Sequence, residues 1–405
     1  VEANNKFMGS VQLSKHGKVV YERAVGYLDA DAGKKTTTAS KFRIGSITKT
    51  FTASLIFKAI EEKKLSLDDK LEKFFPTVPN ASKITIANLL GHTSGIHNFT
   101  NDASYRTWDT TPKTQAEMLD IIVKAGSDFE PGTSADYSNS AFVLLGYILE
   151  KTYKKPYKDI LAEKITKPLG LKNTYYGGRI DNANNEVNSY SFEGRWVKHS
   201  ETDMSIPGGA GAIVSNPSDL TKFFEALFAG KVLSRASLEK MKTINNGFGM
   251  GLFTFPFDGQ TSYGHTGGID GFVSMAGYFP ESKVTVAMVS NGVNMNSNDV
   301  GLAMLNWVNN QPFEVPDFTS HTYTDAELDA YTGLYESKDI PLPITITREG
   351  GKLMAQAQGQ QVIPLDAGKK DVFTFNMAGI VMEFKPAEKI MVLRQGGGTF
   401  TFSRK

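Results

Sequence analysis

Phe42-Arg43-Ile44-Gly45-Ser46-Ile47-Thr48-Lys49 opens a stretch in which Ile47, Phe51, Leu55, Ile56, Ala59 and Ile60 recur at helical spacing. The pattern predicts an amphipathic helix from about residue 46 to 63, with Ser46 at its start. Ser46 and Lys49 are one turn apart on one face, so the lysine amine can reach the serine hydroxyl. A serine alcohol is a weak nucleophile until something takes its proton, and an amine held partly neutral by burial or neighbouring cations can do so. The helix start adds backbone N–H groups and a positive dipole end where an oxyanion would develop. Alone, S-x-x-K recurs by chance in any long chain, and the same residues are equally a helix cap followed by a solvated lysine.

Two further segments change the weighing. Glu130-Pro-Gly-Thr-Ser-Ala-Asp-Tyr137-Ser138-Asn139 closes a Gly/Pro-rich loop and runs into an apolar helix over Asn139–Thr152. Read blandly, Ser138 or Asn139 is only that helix's cap. Tyr263-Gly264-His265-Thr266-Gly267-Gly268 is a glycine-rich stretch immediately before an apolar strand, Phe272–Tyr278. Its bland reading is a loop between sheet elements.

In this order and at these separations, the three segments resemble those of the serine hydrolase family of penicillin-binding proteins and class C β-lactamases. Ile84-Thr-Ile-Ala-Asn-Leu-Leu-Gly-His92-Thr93-Ser94-Gly95 and Gly208–Ser215 with Pro217-Ser-Asp-Leu220 look like two more of its segments. The resemblance covers residues 1 to about 310. It implies that Ser46 attacks a substrate carbonyl and that Lys49 and Tyr137 share proton transfer, with either one as the base. It further implies that Asn139 hydrogen-bonds the substrate amide, that His265, Thr266 and Gly267 line the leaving-group side, and that the backbone N–H groups of Ser46 and Gly268 form the oxyanion hole. Ser94 is not the serine of a G-x-S-x-G elbow, since it lies one place too late, so His92 and Ser94 read as packing and hydrogen-bonding residues.

One residue departs from the class C pattern. His265 stands where those enzymes usually carry lysine, and a histidine is only partly charged near neutral pH. The His-Thr-Gly form resembles DD-carboxypeptidases and D-aminopeptidases of the family. The expected activity is therefore hydrolysis of peptide or amide bonds at a D-configured residue, through an acyl-enzyme, with penicillin binding. The alternatives are a class C-like β-lactamase or promiscuous carboxylesterase and, in another class, a catalytically silent penicillin-binding or sensor protein. The resemblance also implies an exported bacterial enzyme, periplasmic or extracellular, whose leader is absent from this chain.

Composition narrows the field independently. Among 405 residues there are 44 Lys and Arg against 43 Asp and Glu, a balance that gives no reason to expect nucleic acid or an anionic membrane as partner. There is no cysteine, so thiolate chemistry, disulfides and iron–sulfur clusters are excluded. His92 and His97 miss the i, i+4 spacing of helical zinc ligands. No metal or organic cofactor is expected, and the expected partner is a small molecule or peptide: a D-amino-acid peptide, a β-lactam or an ester. The longest strongly apolar run, Ala141–Leu149, is far shorter than the roughly 20 residues of a membrane helix. Oligomeric state is not indicated.

The expected fold is of α/β (α+β) type, an antiparallel sheet flanked by helices. An N-terminal hairpin (Phe7–Leu13, Val19–Val25) joins strands after His265, with a mainly helical subdomain inserted over about 65–200 and the site between them. Residues 1–310 form the hydrolase domain. A Pro-rich linker spans 311–323. Residues 324–405 carry a helix signal at Thr324–Tyr331 and eight short strand candidates, the signature of a small closed, lipocalin-like antiparallel β-barrel.

Overall fold

The computed structural model describes residues 1–313, Phe318, 321–395 and 398–405, with the backbone alone for Met377. Residues 314–317 and 319–320, inside the expected linker, lie outside the described set. Backbone contacts divide the chain into two compact units. One is Phe7–Val293 with Glu2, and the other is Asn294–Lys405 with Val1 and Ala3–Lys6.

The first unit is built on a six-stranded antiparallel sheet. Its strands are β1 (Phe7–Lys15), β2 (Lys18–Val25), β3 (Phe253–Phe257), β4 (Gln260–Ile269), β5 (Phe272–Phe279) and β6 (Val284–Val293), in spatial order β3-β4-β5-β6-β1-β2. The N-terminal hairpin thus completes a sheet begun by the strands around His265, as expected. β1 and β6 are buried along almost their whole length, whereas β2 forms an exposed edge.

The first helix, α1 (Thr48–Glu61), departs from expectation. Instead of an amphipathic face it is buried nearly all round, including Thr48, Lys49, Thr50, Thr52 and Ser54. Its buried hydroxyls are satisfied mostly by distant backbone. The Thr50 hydroxyl donates to the Gly251 carbonyl, that of Thr52 to Gly209 and that of Ser54 to Thr50. A helix with this many bonded hydroxyls can lie in the core without orphaned polar groups. On its apolar side Phe51 stacks on Phe223 with ring centroids 3.8 Å apart.

Helix α2 (Asn139–Tyr153) is packed on α1, and α3 (Pro217–Phe228) lies across β1, β5 and β6. Its Asn216 cap accepts from Asp219 N–H, and the proline at the first helical position fixes the entry. Between 65 and 200 helices and turns predominate. A small three-stranded sheet, Phe42–Arg43, Ile213–Ser215 and Tyr175–Tyr176, was not anticipated. Its two- and three-residue strands are too short to show a period.

In the second unit, helix α4 (Asn298–Val308) precedes a closed eight-stranded antiparallel barrel, β7 (Gly333–Ser337) to β14 (Gly398–Arg404), with neighbours in chain order. All eight expected strands are present. The fourth runs over Ile363–Ala367. Alternating residues such as Ile344 and Ile346, Leu353 and Ala355, Met382 and Phe384 point inward and are buried. With Tyr331, Tyr335 and Phe373 they fill the interior. No helix among the described residues is long and apolar enough to cross a membrane.

Candidate active site

Strand Phe42–Arg43 delivers the chain into a 3₁₀ turn, Gly45–Ile47, which runs on into α1. Ser46 sits in that turn, partly exposed, and Lys49 in the first turn of α1 is fully buried. Lys49 Nζ lies 3.1 Å from Ser46 Oγ. It also donates to Asn139 Oδ1 at 2.7 Å and to the Ala210 carbonyl at 2.9 Å. Among the described residues no carboxylate faces it, and burial pushes the ammonium well below the usual lysine range.

Asn139 opens α2 one residue after the cap, Ser138, whose hydroxyl accepts from Ala141 N–H. Its amide is held from both ends. Oδ1 faces Lys49, and Nδ2 donates to Thr100 Oγ1 at 3.0 Å. Its backbone N–H donates to Asn98 Oδ1 at 3.1 Å.

Tyr137 lies under the site, with Lys49 Nζ 4.8 Å from its ring centroid. Its ring stacks on His92 at 4.6 Å and on Phe248 and Phe253 at 6.5 and 6.3 Å. Burial pushes its phenol up, and a hydrogen bond with Ser46 opposes this only weakly. His92, read from sequence as structural, holds this residue from two directions. It supplies the stacking face, and its Nδ1 accepts from Ser138 N–H at 3.1 Å.

The third motif is not a loop before a strand. His265, Thr266, Gly267 and Gly268 all lie within β4, paired across to Ala276, Met275, Ser274 and Val273. Glycine is ordinarily unfavourable in a strand, and here close backbone approach requires it. A Cβ at Gly267 would strike the Ile44 carbonyl and come within 3.0 Å of Ser46 N, and one at Gly45, whose φ is +49°, would meet Gly268 N at 2.9 Å. β4 therefore lies directly against the Ser46 turn.

His265 is fully buried. Its Nδ1 bonds the Thr266 carbonyl, and Nε2 has no partner among the described residues. Burial, aided by the nearby Lys49 charge and opposed by the Thr266 carbonyl, pushes it down to about 3. It is neutral at physiological pH. The partial charge expected of His265 from sequence is therefore corrected, because burial holds the imidazole neutral.

A cleft of about 370 Å³ opens beside Ser46. Its lining includes Ser46, Asn139, Gly268, Phe99, Tyr105 and Ile269, while Tyr137 and His265 stand outside it. Thr100, the Ala210 carbonyl and Asp270 were not singled out from sequence. Ala210 falls in the glycine-rich Gly208–Ser215 segment, so its region carried a signal, but Thr100 belongs to no motif.

Residues 6–310 match the family model described as Beta-lactamase. The chain belongs to the beta-lactamase family. This is a family of serine hydrolases, and the chain is an enzyme of that class. It is 26% identical over 430 residues to penicillin-binding protein 4* of Bacillus subtilis (strain 168), covering 97% of this chain and 94% of that one. Among solved structures, it is similar to the D-amino acid amidase from Ochrobactrum anthropi SV3, with 28% identity, a TM-score of 0.63 and coverage of 72% and 90%. It is also similar to the octameric penicillin-binding protein homologue from Pyrococcus abyssi, with 25% identity, a TM-score of 0.69 and coverage of 98% and 96%.

Proposed function

We propose that this beta-lactamase family enzyme hydrolyses peptide or amide bonds at a D-configured residue through an acyl-enzyme on Ser46, in the manner of a DD-carboxypeptidase or D-aminoacyl amidase. The observation that carries the chemistry is the environment of Lys49. A neutral amine has two N–H groups and one lone pair. Asn139 Oδ1 and the Ala210 carbonyl can only accept, so they take both N–H groups and leave the lone pair for the proton of Ser46 Oγ. After transfer the ammonium has three acceptors, so neither protonation state is left with an unmet hydrogen bond. Lys49 is therefore the general base.

Tyr137 keeps its proton in the resting enzyme, because burial raises its phenol. Tyr137 then donates its proton to the leaving group, and Lys49 passes on to the phenolate the proton it took from Ser46, so the net charge of the pair is unchanged over acylation. The N–H groups of Ser46 and Gly268 hold the oxyanion, a contribution of about 3 kcal/mol per donor in other enzymes. Asn139, fixed between Lys49 and Thr100, presents its amide to the substrate's own. We assign the cleft, which includes Ser46, Asn139 and Gly268, to the acyl side of the substrate.

Substrate choice follows from His265. A neutral imidazole provides no fixed cation for a β-lactam carboxylate, which disfavours efficient β-lactam turnover, and the likeness to a D-amino acid amidase points the same way. An extended acyl chain can add main-chain hydrogen bonds beside β4, which a simple ester lacks. Penicillin-binding protein 4* of Bacillus subtilis and a teichoic acid D-alanine hydrolase of Staphylococcus aureus are among the relatives, and we extend to this chain an exported location. The deciding experiment is kcat/KM for matched D- and L-amides beside a cephalosporin and a butyrate ester. The D-amide is expected to be best, and penicillins are expected to acylate but leave slowly. Faster cephalosporin turnover would make the enzyme a β-lactamase, and turnover of the ester alone an esterase.

A further inference from the structure

We infer that Arg43 and Asp270 are positioning residues whose buried ion pair holds the backbone N–H groups of Ser46 and Gly268 at the separation an oxyanion needs. The inference rests on the reading that those two groups form the oxyanion hole.

Arg43 precedes Ser46 by three residues and Asp270 follows Gly268 by two, so the pair joins the two chain segments that supply the hole, although 227 positions separate the partners. Arg43 Nη1 donates to Asp270 Oδ2 at 2.8 Å, with the side chains 2% and 3% exposed. The other contacts leave both groups little freedom. Arg43 also donates to the carbonyls of Thr202 and Gly178, at 2.9 and 3.0 Å, and to Glu201 at 3.3 Å. Asp270 Oδ1 accepts from the Thr202 N–H at 3.0 Å and from its hydroxyl at 2.6 Å. Although Asp270 reaches the cleft wall, its carboxylate is committed to these partners and is not free to bind a substrate charge.

The remaining contacts across this junction are a steric limit on approach and one hydrogen bond. Gly45 and Gly268 are in backbone contact, and the Ser274 hydroxyl donates to the Ile44 carbonyl at 2.8 Å. Steric contact thus sets the minimum spacing of the two N–H groups, and the ion pair, together with the Ser274–Ile44 hydrogen bond, limits how far they can part. A buried pair adds little net stability over an apolar pair of the same volume, so its contribution here is geometric. Oxyanion donors must lie within a few tenths of an ångström of where the charge develops, which makes catalysis the sensitive readout.

The test uses the full chain carrying Asp270→Asn, which keeps the volume and the Oδ1 acceptor but removes the charge. Arg43→Lys keeps the charge but removes the fork, and it carries the test if the first variant does not fold. Glu201→Gln, on the more exposed arm of Arg43, serves as control. Active sites are first titrated to completion with a fluorophosphonate, so unfolded protein does not count. Per titrated site, kcat on a D-amide or an ester should fall about 10- to 100-fold with KM within about twofold. Affinity for a boronic acid, whose serine adduct occupies the oxyanion hole, should weaken by a similar factor, and Glu201→Gln should stay within about threefold of wild type. Unchanged kcat and boronate affinity per site, with only a lowered Tm, would reduce the pair to a structural role and overturn the inference. If wild type takes neither reagent at Ser46, the site reading itself falls and the inference with it.

Discussion

Asn139 Oδ1 accepts from Lys49 Nζ at 2.7 Å, closer than the 3.1 Å between that nitrogen and Ser46 Oγ, and in the proposed mechanism this orders the proton transfers. The amide oxygen cannot give a proton back, so it consumes one N–H of the amine and turns the rest of the nitrogen toward the serine. With no counter-ion among the described residues, the lysine then has one place to receive a proton.

Removing either proton carrier should therefore disable the enzyme without unfolding it. Lys49→Ala and Tyr137→Phe are each expected to cut kcat by about 10²- to 10⁴-fold, because each removes a proton path. The double variant should lose little more than the worse single one, since the two groups act as a unit. Steady-state kinetics on three purified variants, with circular dichroism as the folding control, checks this. Small losses that simply add would mean both roles are misassigned.

The pH dependence separates the base from the acid. Activity needs Lys49 neutral, so kcat/KM should rise with pH through a value well below that of an ordinary lysine. Tyr137 is raised above its usual value of about 10, so it should impose no falling limb in the neutral range. A profile that falls from pH 6 to 8 would contradict the assignment.

Stability should respond to His265 in a defined window. Its folded value of about 3 lies below the ordinary 6.5, so between these limits the unfolded chain binds more protons. Stability is therefore lost as pH falls from about 6.5 towards 3. Urea unfolding at pH 7 and pH 4.5 should show a smaller acid loss for His265→Asn than for wild type. An equal loss would show that this imidazole is not held neutral in the folded state.

Much of this was legible in the sequence, and the failures have physical causes. The barrel strands were visible because alternating inward residues give a period of two. The Ser46–Lys49 pair was visible because three residues of helix bring them together locally. β4 was missed because Gly264, Gly267 and Gly268 argue against a strand unless close approach to another backbone is already known. The helix α1 looked amphipathic because its threonines and serine are polar by type, though tertiary hydrogen bonds bury them. Thr100, the Ala210 carbonyl and the Arg43–Asp270 pair depend on contacts between residues tens to hundreds of positions apart, which no local pattern encodes.

The second unit carries none of the chemistry. We propose that residues 324–405 form a separate domain that modulates access or substrate choice. A chain ending at Phe318, which retains α4, should stay soluble and still be acylated, with an altered preference among amide substrates. Aggregation of that fragment, or complete loss of acylation, would make the barrel part of the hydrolase core.

The most direct test of the central claim is the site of covalent attachment. The full chain is treated with a penicillin or a fluorophosphonate, digested, and analysed by mass spectrometry. The adduct is expected on the peptide containing Ser46, absent from Ser46→Ala and formed far more slowly in Lys49→Ala. An adduct on Ser94 or Ser138, or labelling that survives in Ser46→Ala, would contradict the account.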